Sequence, residues 1–294
     1  ARLKELCELP QLLKEHLFIK FSFHYIELKR HRMINLFFSN IKMMKDNNCA
    51  FSVELTVNDE TVPSISTIQA LCKKELGALC HVIESRNNLD GFSRLTKLPI
   101  KQHQELWNSF DSPLFDFQQS QWMKKRKEFC YAGDWVTSLN VGSGWLMPCF
   151  SGGNAIQNIF EDLDEPIHFC AIGANCPWTH CYAAHVLLSS GVIPTLDTPG
   201  YDSFRDRICK DGSVWLTNSV RMFFNSKLCE SNLSYSKDKK AFVNALMAIE
   251  YGNEVTQSSE VSDAILRSLR KKGIRSLVIW NNNHRLAPWL IEQL

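Results

Sequence analysis

The sequence predicts an α/β protein, and three observations carry that expectation. After a short opening helix come two short strands with alternating apolar residues, separated by a helical stretch. A helix and a third strand follow them, which is the order of parallel βαβ units. From about residue 110 the helical periodicity fades into a segment rich in Gly, Pro, Trp and Cys, and helix and strand return only near the end.

Each element has a local cause. Residues 2–14 read as a short helix interrupted by Pro10. Residues 17–24 have strand composition, with Ser22 and His24 on one face and Phe21 and Phe23 on the other. Ile26, Met33, Leu36, Phe37, Ile41 and Met44 then follow helical spacing. In 50–57, Phe51, Val53, Leu55 and Val57 face one way, and Ser52, Glu54 and Thr56 the other. Pro63 to Leu76 reads as a helix stopped by Gly77. Residues 80–85 make a third strand. Later, 240–251 and 259–272 read as helices, the second with Ser258 and Ser259 as N-caps and Gly273 after its basic end. Residues 274–280 form a last strand, and a helix begins near Leu286.

Three strands fit half of an open barrel or part of a doubly wound sheet. In either, ligands sit beyond the carboxyl ends of the strands. Those ends carry Ser22, His24, Glu54, Thr56, Asn58, Arg86 and Asn87, which serve equally as solvated loop residues. The expected division is 1–110, 111–235 and 236–294.

Composition narrows the function classes. The apolar fraction of 45% supports a real core. A net charge of +2, from 33 basic and 31 acidic residues, provides no long-range field for nucleic acid or an anionic membrane. No apolar run approaches the ~18 residues of a membrane span, and the charged opening Ala1 to Glu5 is no signal peptide. A cytoplasmic protein is the expectation. An odd count of 11 cysteines then points to reduced thiols or metal thiolates, not a disulfide framework.

Five of the cysteines cluster in sequence: Cys130, Cys149, Cys170, Cys176 and Cys181. An iron–sulfur cluster needs about four thiolates converging from loops. Glycines at 133, 142, 144, 152, 153 and 173 let the backbone turn and approach sulfur closely. Zinc competes for the set Cys176, His180, Cys181 and His185, although the tight Cys-x-x-Cys knuckle is missing. Some of the thiols also suit plain core packing.

Cys130, thirteen residues, Gly144, four residues and Cys149 resemble the opening motif of the SPASM and twitch auxiliary domains of radical S-adenosylmethionine enzymes. Gly153-Asn154 and Gln157-Asn158 stand where that family shows a Gly-Asn pair, and Cys170, Cys176 and Cys181 follow. Residues 17–24 are similar to the family's fourth barrel strand, whose serine approaches the cofactor. Segments from Lys125 to Gly133, from Ile172 to Cys176 and from His180 to His185 resemble a group found in surface-polysaccharide gene clusters.

The resemblance implies the later half of a partial (β/α)6 TIM-like barrel, a Cys-rich twitch/SPASM-like domain, and a small α/β C-terminal segment. It implies two cofactors, an auxiliary 4Fe-4S cluster and S-adenosyl-L-methionine. The metal ligands would be Cys130, Cys149, Cys176 and Cys181, with Cys170 as substitute. The cofactor-binding residues would be Ser22, His24, Glu54, Asn58 and Arg86. Partners would be a small-molecule, glycan or peptide substrate and an electron donor such as flavodoxin or ferredoxin.

Two departures qualify this. The radical-generating Cys-x-x-x-Cys-x-x-Cys is missing from these residues, so the 294-residue chain by itself is expected to bind iron without cleaving S-adenosylmethionine. Ile167 stands where a second auxiliary cluster would want Cys, so one cluster is expected. The closing strand is followed by Trp-Asn-Asn-Asn-His without the glycines a pyrophosphate loop needs, and no nucleotide is expected there.

Overall fold

The structure, a computed structural model, describes residues 2–87, 93–150, 155–161, 164, 166–174 and 176–250. It is mixed α/β with small sheets. The helices and strand expected beyond residue 258 lie outside the described residues, as do Gly152, Gly153 and Asn154. The chain divides into two compact units. The first is Ala1–Trp122 with Ala184–Ser190 and Thr198–Ser226, and the second is Met123–Ala183 with Gly191–Asp197 and Lys227–Leu294.

In the first unit, α1 (Arg2–Cys7) and α2 (Gln11–Lys14) are separated at Pro10, whose missing N–H suits a helix start. Then come β1 (Phe18–Ser22), α3 (Tyr25–Arg30), α4 (Ile34–Asp46), β2 (Ala50–Thr56), a 3-10 turn (Asp59–Ser64), α5 (Ile65–Glu75) and β3 (His81–Ile83). The helical run expected from Ile26 to Met44 is two helices, because Arg32 takes a left-handed φ of 56° between them. Strands β1, β2 and β3 form a parallel sheet in that order.

Period-two alternation decides the two faces of the sheet. Phe51, Val53, Leu55 and Val82 join Phe38 and Ile41 of α4 and Ile68 and Cys72 of α5 in one buried cluster. The other set includes Lys20, Ser22, Ser52, Glu54 and His81. Register pairs Lys20 with Ser52, Ser22 with Glu54, and Glu54 with His81. Ser52, Glu54 and His81 are buried even though polar.

A short hairpin, β4 (Arg86–Asn87) and β5 (Ser93–Arg94), follows β3, then α6 (Ile100–Asn108) and α7 (Pro113–Gln121). Ser112 caps α7 with its hydroxyl, which also accepts the Val82 N–H at 3.1 Å and so ties the helix to β3. The chain returns to this unit in α8 (Ala184–Leu187), a 3-10 turn (Tyr201–Phe204) and α9 (Asn218–Asn225).

The second unit is built with less regular structure. Strands β6 (Ser138–Leu139), β7 (Trp145–Met147) and β8 (Gln157–Asn158) make a small antiparallel sheet. Helices α10 (Leu228–Ser231) and α11 (Lys237–Glu250) close it. Tyr131, Ala171, Val243 and Met247 form its buried cluster. Tyr131 stacks on Trp135 with centroids 3.8 Å apart.

Candidate functional site

Two groupings of chemistry-bearing side chains stand out, one in each unit. In the second unit the backbone itself gathers cysteines. Residues 130–133 run antiparallel to 170–173: Cys130 and Gly173 exchange N–H···O bonds of 3.0 Å each, and the Ile172 N–H reaches the Ala132 carbonyl at 2.9 Å. Gly133 sits at φ 95°, and a Cβ there would collide with the Cys170 carbonyl oxygen. Only glycine lets these two segments close so tightly.

The thiols brought together are Cys130, Cys149, Cys176 and Cys181. Burial pushes the Cys130 thiol up to about 12, and the neighbouring Cys176 and Cys149 add to that rise. Cys181 is pushed up by burial and then by Cys130, Cys149 and Cys176. Burial also raises Cys176. Cys170 is placed differently: it packs beside Tyr131, Ala171 and Tyr235, and its charge acts on the Tyr235 hydroxyl. All eleven cysteines are thiols.

Among the described residues, no set of three or more Cys, His, Asp or Glu side chains has the geometry to hold a single metal ion. Ligands to a four-iron cluster bind different iron atoms and stand farther apart than ligands to one ion. Neighbouring thiols of which Cys130 and Cys181 are raised by burial and by the others suit such a group, because its positive iron would stabilise the thiolates that the protein alone keeps protonated. The lack of a single-ion geometry among the described residues holds for the zinc set of Cys176, His180, Cys181 and His185 as well.

In the first unit, Glu54 is the centre. Its Oε2 accepts from the Arg205 guanidinium at 2.6 Å and its Oε1 from the Lys20 ammonium at 3.0 Å. Burial alone would raise the Glu54 carboxyl, but Arg205 and Lys20 outweigh it and hold the group below the usual carboxylate value. The Arg205 guanidinium also lies over the Tyr201 ring, 4.8 Å from its centroid. The His185 ring stacks near Tyr201 with centroids 6.5 Å apart. His185 is lowered to about 3, first by burial, then by the Arg205 charge. Arg86 adds to the same field.

The expected cofactor residues divide between two places. Ser22 is exposed at the end of β1, in register with Glu54. His24 and Asn58 line a cleft of about 220 Å³ beyond the ends of β1 and β2, together with Tyr25, Thr56 and Glu60. Asn58 spends its side-chain oxygen on the Thr61 N–H at 2.9 Å, as an N-cap. Glu54 and Arg86 belong to the charge cluster. Lys20, His185, Tyr201 and Arg205 were not expected there. A lysine between two apolar strand residues was the one available signal, since Arg205 lies 151 residues from its partner.

A second buried acid lies just past β3. Glu84 takes the His103 ring at 3.1 Å, Gln119 at 2.8 Å and Arg94 at 3.3 Å. Its side chain is fully enclosed, which marks it as a structural clamp of α6 and α7 onto β3.

No helix among the described residues is long and apolar enough to cross a membrane. No protein-family model matches the chain, and no curated protein or solved structure shows significant similarity to it.

Proposed function

We propose that this chain carries the later strands of a radical S-adenosylmethionine barrel in its first unit and one auxiliary 4Fe-4S cluster in its second. The observation that supports this most is the convergence of Cys130, Cys149, Cys176 and Cys181, with Cys170 set apart. The parallel order of β1, β2 and β3, with helices against one face and polar residues on the other, agrees with the barrel part of the proposal.

When bound, the cluster supplies a centre that accepts an electron or coordinates a substrate atom. The chain's own contribution is to hold four thiolates in a desolvated loop nest. Backbone N–H groups near the sulfurs then set the potential. In the first unit, exposed Ser22 and His24 stand where S-adenosylmethionine would be held, at the carboxyl ends of the strands. Glu54 reaches a ligand only through the cations it binds. The substrate would be a small molecule, glycan or peptide, and a ferredoxin or flavodoxin would supply electrons.

Protein purified without oxygen should contain iron and acid-labile sulfide, and Cys149→Ala or Cys181→Ala should lose most of both while Cys170→Ala retains them. Stoichiometric zinc without iron would overturn the proposal.

A further inference from the structure

The charge cluster of the first unit is larger than a clamp between two strands requires. Glu54 has two carboxylate oxygens, and Lys20 and Arg205 take one each. Two cations against one carboxylate leave an uncompensated positive charge. Arg205 is almost wholly buried, yet among the described residues its Nε has no hydrogen-bond partner. His185 Nδ1 is likewise buried and finds no partner among the described residues. Such donors are costly to leave unmet inside a protein.

The cluster meets solvent at Lys20. The Lys20 side chain keeps 41% of its exposure, while Glu54 beneath it keeps 4%. The groups acting most on His185 are Arg205, Glu54, Lys20 and Arg86, three cations and one carboxylate. A neutral imidazole and a phenol beside this surplus provide hydrogen-bond donors without adding negative charge.

We propose that Lys20, Arg205, His185 and Tyr201 form a docking site for the oxyanion of a ligand, a carboxylate or a phosphate. Glu54 holds the two cations in place, so that the anion meets a preorganised positive surface. The guanidinium fork of Arg205 suits planar or tetrahedral oxyanions, and Lys20 acts as a mobile point charge at the mouth. The site stands on the geometry of the first unit and does not depend on iron in the second.

Titration calorimetry of the full 294-residue chain tests this with inorganic phosphate in one arm and malonate in another, and with sodium chloride at equal ionic strength as control. Saturable binding of either oxyanion is expected, weakened at least tenfold in Lys20→Gln and partly restored in Lys20→Arg. The arm that binds more tightly assigns phosphate or carboxylate. Tyr201→Phe, which removes only a hydroxyl, should weaken binding several-fold with unchanged circular dichroism. Lys42→Gln, at an exposed helix lysine paired with Asp46, should bind as wild type. Binding absent in both arms, or equal in Lys20→Gln and wild type, would overturn the assignment. So would competition by S-adenosylmethionine, which would make these groups part of the cofactor pocket.

Discussion

Glu54 in the first unit and Cys130 in the second are both buried acids, and their surroundings treat them oppositely. Glu54 is enclosed by two cations that come from distant parts of the chain, and its proton is released more easily than in water. Cys130 is enclosed by apolar packing and by other thiols, and its proton is held far more tightly, to about 12. The first unit therefore supplies its own counter-charges. In the second, burial dominates and the neighbouring thiols add to it, so Cys130 and Cys181 keep their protons.

That contrast can be broken from either side. The largest expected effect is metal removal. Chelating iron under anaerobic conditions should cut hydrogen-exchange protection in residues 123–183 by about a hundredfold or more, because metal binding and folding are one equilibrium in such segments. Strands β1 to β3 should keep theirs. Equal loss in both units would show that the first also depends on the metal.

Next in size is the buried ion pair. Arg205→Met should destabilise the first unit by about 3–5 kcal/mol in urea unfolding, since it strands a buried carboxylate. Pairing it with Glu54→Leu should recover most of that. The pH dependence follows from the same group. Its folded pKa lies below the ordinary 4.5, so its contribution is complete above that value and is lost as pH falls through the folded one. Unfolding free energy should drop more steeply below pH 4.5 in wild type than in Glu54→Gln.

Two smaller effects sharpen the comparison. Gly133→Ala should cost about 1–3 kcal/mol and loosen the cysteine loops, given the left-handed backbone and the Cys170 carbonyl. Reduced iron retention in this variant would tie the backbone pairing to the metal site. Ser112→Ala should cost about 1 kcal/mol through the lost cap of α7, without changing iron content.

What the sequence revealed follows the range of each interaction. Strands β1 and β2 were legible because alternation is local, and the same alternation placed Ser22 and Glu54 on one face. Helix α7 has an ordinary N-cap and first-turn pair in Ser112 and Pro113, but the shift to Gly, Pro, Trp and Cys beginning near residue 110 masks it in the sequence. Motif spacing singles out Cys130 and Cys149, and the turn around Gly173 and Pro177 singles out Cys176 and Cys181, as a candidate ligand set. What spacing could not give was Cys170 facing the aromatic cluster instead, since that depends on the pairing of residues 130–133 with 170–173. The cluster around Glu54 was invisible for the same reason: Arg205 and His185 approach it from segments that share no local pattern with the strands.

The first unit is assembled from three stretches of chain, with most of the second unit's described residues encoded between them. On the ribosome this sets a schedule. Glu54 emerges early, and its guanidinium partner follows only 151 residues later. Until then the nascent sheet carries a carboxylate with only Lys20 to answer it, and Phe18 lacks the ring of Phe224 that later packs on it. Closing so long a loop is slow compared with forming local helices. The intervening thiols are therefore synthesised and solvent-exposed before the first unit can lock.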